Sequence, residues 1–396
     1  MTSGSCDVAV IGGGIIGTSA AAYLAEAGLN VRLFEREQIA AGASGRNSGT
    51  IQHPFEPQMA RLHHASLPLY RELADLVADF QLPREPAGLL LLSPDERAVA
   101  GAGRSIAATE PELAPQLMAP RELVLLEPLL APDLFACRIA TGYPVAPAAA
   151  TYAFAARARA AGATLEVGEP AEPVVSGGRV SGIRPARGEI VVCEMVLVAA
   201  GPWTPSLIPG WSERQPIRPL WGVVVGVALP TAPRHVLEEQ GIDTPDAHPE
   251  ETFSMITADR ETSVGSTFLA GVPDTAWLAG AVLERGRRFV PALRDAQRVG
   301  VRACARPMSV DGRPFIGAVP EVNGLFVCAG HGAWGISTGP ASARMVVDEM
   351  LGRGAPEPAF SPARDGDEGE NDGRGQVQPG RSEHASDRGL NRSAAD

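Results

Sequence analysis

Gly12, Gly14 and Gly17 fall in the pattern G-x-G-x-x-G, with Ile15 and Ile16 between the last two. In that pattern the first glycine permits a tight turn, the second lets backbone approach a pyrophosphate, and the third lets a helix pack closely on a sheet. The N–H groups that open the helix then face the anion. Glu35 comes one helix and one strand later, where a carboxylate accepts hydrogen bonds from ribose hydroxyls and disfavours a 2′-phosphate. A glycine triplet alone is a weak signal. Here strand, loop, helix, strand and acid follow in order, so a bound dinucleotide is expected, FAD or NAD rather than NADP.

A second segment, Gly42-Ala43-Ser44-Gly45-Arg46-Asn47-Ser48-Gly49, is rich in small residues and hydrogen-bond donors. An ordinary surface loop has the same composition. An NAD enzyme has no need of such a stretch after its ribose acid, whereas a flavin enzyme needs backbone to run along its cofactor towards the isoalloxazine ring. Ala199-Ala200-Gly201-Pro202-Trp203 closes a strand, which marks either close ligand approach or a plain strand-end turn. Further on, Cys304-Ala305-Arg306-Pro307-Met308-Ser309-Val310-Asp311-Gly312 precedes Gly330-His331-Gly332-Ala333-Trp334-Gly335-Ile336. The latter sits between a strand and a helix. It is a second helix N-terminus, able to face the electron-rich N1–C2=O edge of a flavin.

The surrounding pattern supplies elements to position these residues. Residues 7–11 read as a buried strand, 18–27 as a helix that Gly28 closes, and 30–35 as the next strand. Apolar residues recur at helical spacing over 62–80. Residues 151–161 read as helix and, after Gly162, 164–167 as strand. Residues 179–183 and 190–199 are strand-like, and 222–227 and 263–267 are the clearest strands of a β-rich stretch. Residues 291–304 read as helix, 325–329 as a last buried strand, and 337–351 as a last helix ending at Gly352. From 357 to 396 the chain is rich in Asp, Glu, Gly, Arg and Ser, with Phe360 its one aromatic. So little apolar area does not offset chain entropy, and a disordered tail is expected.

The chain has 396 residues, 45% hydrophobic and 20% charged, which suits two interleaved domains better than one simple core. A net charge of −12 with no basic patch argues against a nucleic-acid partner. The apolar runs are too short to span a membrane, and no basic leader precedes an apolar stretch, so a cytoplasmic location is expected. Cys6, Cys137, Cys193, Cys304 and Cys328 share no metal-ligand or redox spacing, and no metal is expected. The chain contains no lysine. That excludes a lysine Schiff base, hence pyridoxal phosphate chemistry, and a Walker-type P-loop. An anion here must be held by arginine, histidine or backbone N–H groups.

In this order and spacing the four motifs resemble those of the D-amino acid oxidase superfamily of flavoenzymes. The glycine oxidase, sarcosine oxidase and D-amino acid dehydrogenase branches are nearest. The resemblance covers residues 5–352. It implies an α/β fold with a Rossmann-type FAD-binding domain assembled from residues 1–82, 148–212 and 300–356. It implies an α+β substrate domain with an antiparallel sheet from residues 83–147 and 213–299. The cofactor contacts it implies begin with Gly12, Gly14, Ile15, Ile16 and Gly17, then Glu35 and Arg36. They continue through Ser44, Arg46, Asn47, Ser48, Gly49 and Thr50 to Ala171, Ala200, Gly201 and Trp203. The last are Cys304, Gly330, His331, Gly332, Gly335 and Ile336. The substrate pocket is expected to hold Gln52, His53, Phe253, Phe268 and Trp334.

The family's carboxylate-binding arginine falls on Arg306. Its guanidinium fork suits a carboxylate, although a structural salt bridge would also account for it. Glycine oxidase-like members carry a second arginine at the place of Ala333 and a tyrosine near Phe253. The sarcosine oxidase pocket lysine is replaced by Trp334. Fewer charges and more apolar surface favour a substrate bulkier than glycine or sarcosine. In the sarcosine oxidase branch a cysteine five residues before a Thr-Pro-Asp run bonds covalently to the flavin 8-methyl group. Cys304 has that offset from Ser309-Val310-Asp311, so a covalent link and plain packing against the flavin edge both stay open.

The family mechanism moves a hydride from the carbon beside a neutral amine to flavin N5, and the imine then hydrolyses. The expected substrate is a small amino acid or secondary amine. A 2-hydroxy-acid dehydrogenase and a flavin subunit of a heteromeric dehydrogenase are the rival readings. The electron acceptor stays open between oxygen, a quinone and a protein. Sarcosine-type oxidases use a lysine near the flavin for oxygen, so a chain without lysine leans towards a dehydrogenase.

Overall fold

A computed structural model of the chain describes residues 4–241 and 251–364. The N-terminal βαβ unit forms as expected: strand Cys6–Ile11, helix Ile15–Glu26, strand Val31–Glu35. The first strand is buried on both faces and reads as a nearly unbroken apolar run, as a central parallel strand must. It lies between Val31–Glu35 and Val191–Val198, parallel to both. Thr164–Val167 extends the sheet on one side, and Leu325–Ala329 with antiparallel Phe315–Ala318 extends it on the other. One sheet thus draws strands from three separated stretches of chain. Helices Ile15–Glu26, Ala149–Ala160 and Gly335–Met350 share a buried core with Pro57–Leu76, in which Tyr70 and Phe154 are fully enclosed.

A second sheet of eight strands runs in the order Gln297–Ser309, Ile217–Ala228, Glu261–Thr267, Glu251–Ala258, Val236–Glu239, Leu89–Ser93, Phe135–Ile139, Gln116–Met118. Every pairing is antiparallel except that between Val236–Glu239 and Leu89–Ser93. Helix Thr275–Arg287, capped by Asp274, covers one face of it. The other face packs in part on helix Glu96–Thr109, through Leu89, Leu91, Val99 and Ile106, and in part lines a cavity, through Val224 and Ser254. No described helix is long and apolar enough to cross a membrane.

Two expectations change. Residues 291–304 are not a helix: a short turn at Pro291–Arg294 leads into the long strand Gln297–Ser309. Val299 and Val301 alternate with Gly300 and Arg302, a pattern that fits a pleated ladder and weakens a helix. That strand pairs with Ile217–Ala228 along nearly its whole length. Residues 357–364, expected to belong to a tail, are packed instead. Phe360 is 1% exposed within the core of the first sheet's helices. Arg364 makes a two-pronged ion pair with Asp311 and lies over the ring of Phe315. The rest of the expected tail, 365–396, lies outside the described residues.

Candidate active site

A cavity of about 550 Å³ opens between the two sheets, and the glycine loop forms one end of it. Gly12 has φ +116, and a Cβ there would stand 2.3 Å from the Ala199 carbonyl, so only glycine fits. A Cβ on Gly17 would stand 1.9 Å from the Gly12 carbonyl. Gly17 therefore serves loop–helix packing and does not line the cavity. The Glu35 carboxylate accepts from Gly13 N at 2.7 Å and from Glu37 N at 2.8 Å, which fixes it at the cavity edge. Beside it, the Arg36 guanidinium lies over the Trp203 ring, 3.6 Å from the centroid. Ala171 lines the same end.

The second motif runs along the wall as a short helix, Ala43–Arg46, and the chain after it. Ser44 Oγ accepts from Ile15 N at 3.0 Å, tying this segment to the first helix. Ile16, Arg46, Asn47, Ser48, Thr50 and Gln52 all face the cavity. Gly49 does not: at φ +95 it packs against the Val145 carbonyl. Ala200, Gly201 and Trp203 line the wall after Val191–Val198, as do His331, Gly332 and Trp334 before the last helix and Gly335 and Ile336 at its start. Gly330 lies behind that wall, against Ser309 and Ile217.

The second sheet supplies the other wall. Arg306 pairs in register with Leu220 and reaches diagonally across Gly222. Its Nη1 donates to the Thr267 carbonyl at 2.7 Å and its Nη2 to Ser266 Oγ at 2.5 Å. A Cβ on Gly222 would lie 2.3 Å from Nη2, so glycine there gives the guanidinium its room. Phe268 lies beneath it, with 4.6 Å from the guanidinium carbon to the ring centroid. Among the described residues no carboxylate lies within 4.0 Å of this cation, so none of them gives Arg306 a structural salt bridge. Burial pushes its pKa down. Neighbouring Arg302, by contrast, is taken up by Glu261 and Ser263.

Two expected pocket residues point elsewhere. Phe253 is fully buried on the opposite face of its strand, stacked on Phe289 with centroids 4.6 Å apart. Strand alternation puts its neighbours Ser254 and Ile256 on the cavity wall instead. His53 is likewise one residue out of phase. Gln52 faces the cavity while His53 turns away to His63 and His64. Burial lowers His53 to about 4 and His63 to about 3, and neighbouring imidazoles add to the effect, so both rings are neutral at pH 7.

Glu238 is not among the residues that the sequence singles out. It lines the cavity at 9% exposure and accepts from Gln52 Nε2 at 3.0 Å. Its signal was a carboxylate inside an apolar strand, made ambiguous by the adjacent Glu239, which faces the other way and pairs with Arg285.

Cys304 is 6% exposed on the cavity wall. Burial pushes its thiol up, and the pull of Arg306, Arg46 and Arg302 does not cancel this. His331 is 1% exposed, and neither ring nitrogen has a hydrogen-bond partner among the described residues. Burial lowers its pKa to about 3, so it presents a neutral imidazole to the cavity.

A parallel nucleotide-binding sheet gathered from three stretches, sharing one cavity with a largely antiparallel sheet, defines a flavin-dependent oxidoreductase. Residues 7–349 match the family described as FAD dependent oxidoreductase (DAO), and the chain belongs to that family. It is 30% identical to a glycine oxidase of Pseudomonas aeruginosa over 376 residues, 90% of this chain and 97% of that one. Its fold superposes with TM-score 0.77 on glycine oxidase from Geobacillus kaustophilus, at 25% identity, over 91% of this chain and 99% of that one. It superposes equally, with TM-score 0.77 and 25% identity, on iminodiacetate oxidase from a Chelativorans species, over 90% and 98% of the two chains. The cofactor is FAD, and the residues present fit it. The Gly12–Gly14 loop borders the cavity as bare backbone, the Glu35 carboxylate is fixed at the cavity edge beside it, and the His331 imidazole on the cavity wall has no hydrogen-bond partner for either buried nitrogen among the described residues.

Proposed function

We propose that this enzyme oxidises an amino acid or N-substituted amino acid at the carbon that carries the amine. The observation that carries the reading is Arg306: a guanidinium on the cavity wall, with no carboxylate partner among the described residues and with its planar face backed by Phe268. A cation held this way is completed by a bidentate anion from the ligand. Glu238 lines the same cavity and offers an acceptor to a substrate amine. An arginine and a glutamate in one cavity match the carboxylate and the amine of an amino acid. The named activities of the similar proteins, glycine oxidase and iminodiacetate oxidase, both concern carboxylate-bearing amines.

In this reading bound FAD supplies the hydride acceptor. The chain's residues bind and orient. Arg306 holds the carboxylate, Ser266 and Thr267 hold Arg306, and Glu238 with Gln52 faces the amine. Positioning of this kind lowers the barrier without a strong protein base. Trp221, Phe268 and Trp334 line the cavity, and Ala333 stands where a second arginine would narrow it. A side chain larger than that of glycine fits this wall. The reading includes two units, one for FAD and one for substrate, with strand Gln297–Ser309 assigned by its pairing to the substrate sheet.

The test is anaerobic bleaching of the flavin absorbance by matched sets of amino acids, 2-hydroxy acids and amines lacking a carboxylate. Bleaching by amino acids alone supports the reading. Bleaching by hydroxy acids alone would move the chain to hydroxy-acid oxidation.

A further inference from the structure

Behind the cavity wall, four side chains converge on one point. His53 Nε2 lies 3.3 Å from His64 Nε2 and 3.7 Å from Glu110 Oε2. His64 Nε2 lies 3.9 Å from the same Glu110 oxygen and 3.6 Å from Glu112 Oε1. All four atoms lie within 4.8 Å of one another. They come from three places in the fold. His53 follows the strand Thr50–Ile51, His64 sits on helix Pro57–Leu76, and Glu110 and Glu112 flank the end of helix Glu96–Thr109. None of the four lines the cavity.

Two imidazoles that point the same nitrogen at each other can share at most one hydrogen, whereas both can offer lone pairs to a common cation. The two glutamates are like charges side by side, and among the described residues no arginine lies within 4.0 Å of either. A divalent ion would answer both features. Zinc holds imidazole nitrogen and carboxylate oxygen at about 2.0–2.2 Å in a tetrahedron, which separates neighbouring ligand atoms by about 3.3–3.5 Å. The four separations given above start at that value and exceed it by a few tenths of an ångström, and the remaining two stay within 4.8 Å, so side-chain rotations would have to draw the set together. Two nitrogens in the set favour zinc over magnesium or calcium, which take oxygen. The His64 and Glu112 side chains are 48% and 52% exposed, which leaves an entry path, while His53 and Glu110 close the inner side.

We propose that His53, His64, Glu110 and Glu112 form a structural zinc site. The ion would tie the segment that carries Gln52 into the cavity to the helix on one side and to the substrate-side turn on the other. His53 is already held by its backbone N–H donating to Thr141 Oγ1, and Gln52 N donates to Ser337 Oγ, so the ion would complete a clamp on this segment.

The experiment takes the flavin-loaded protein, dialysed first against a chelator and then against metal-free buffer. Zinc is titrated in by calorimetry, with magnesium as comparison, and bound metal and Tm are measured afterwards. The expected result is one zinc per chain, a raised Tm, and binding weaker by about tenfold or more in both His64→Ala and Glu112→Gln. Both positions are half-exposed, and the flavin spectrum of each variant reports an intact fold. Absence of saturable zinc binding, zinc binding unchanged in both variants, or magnesium binding as tightly as zinc would each overturn the proposal.

Discussion

The Arg306 guanidinium lies over the Phe268 ring, and the same guanidinium would collide with any side chain at Gly222. Strand, ring and missing Cβ together fix one orientation of the fork. In Gly222→Ala the added carbon would sit 2.3 Å from Nη2, and the flexible end of Arg306 is the part that yields. Tm should change little and kcat/KM should fall by about 10- to 100-fold, as it does for misplaced positioning groups. Steady-state kinetics beside a melting curve separates this from simple destabilisation, which would lower Tm and spare KM.

Glu238→Gln keeps the shape and removes the charge. Hydrogen bonds to charged groups contribute about 1.5–3 kcal/mol, so KM for an amino acid should rise about tenfold or more while FAD stays bound. Unchanged kinetics would remove Glu238 from amine recognition.

The glycine loop is legible in sequence because backbone geometry there admits one residue type, and Glu35 because it ends the strand that follows the helix. Gly12 at φ +116 cannot be replaced without meeting Ala199. Residues whose role depends on which side of a strand they face were harder to read. Phe253 and His53 are each one position from a residue that does line the cavity, and a period-two pattern turns that slip into the opposite face. The strand Gln297–Ser309 looked helical because its partner, Ile217–Ala228, is remote in sequence. Phe360 and Arg364 looked like tail because their partners, the helical core and Asp311, were invisible in local composition. The histidine–glutamate cluster was missed for the same reason. A cysteine spacing test does not detect ligands drawn from residues 53, 64, 110 and 112.

Cys304 should not be joined to the flavin. Burial outweighs the three arginines and keeps its thiol protonated at neutral pH, and the thiolate is the reactive form. Acid precipitation should release all the yellow colour to the supernatant. Colour retained in the pellet, and lost in Cys304→Ala, would show a covalent link.

Removing residues 365–396 should leave Tm nearly unchanged. Cutting after residue 356 should lower it clearly, since loss of a fully buried phenylalanine side chain alone costs about 3–5 kcal/mol. Burial pushes the Asp311 carboxyl up, but hydrogen bonds and charge from Arg364, joined by Arg313, outweigh it and hold the pKa below the usual range. A depressed native pKa adds stability above the unfolded value of about 3.9, and that stability is lost as pH falls through the native value. The gap in Tm between the two truncations should therefore be largest near neutral pH and narrow below pH ~4. A gap that does not change with pH would mean that Phe360 packing carries the whole effect.

The role proposed for Arg306, receiving the substrate carboxylate, can be measured directly. The direct measurement compares anaerobic flavin reduction by a reducing amino acid and by its amide, in the wild type and in Arg306→Ala. A charge-assisted pair of this kind contributes about 2–5 kcal/mol, so the wild type should prefer the acid by about 30-fold or more. In Arg306→Ala the preference should vanish while FAD stays bound, and Arg306→Lys should restore little of it, since the fork is gone. If Arg306→Ala keeps the wild-type preference for the acid over the amide, the carboxylate is held elsewhere and Arg306 is not its receptor.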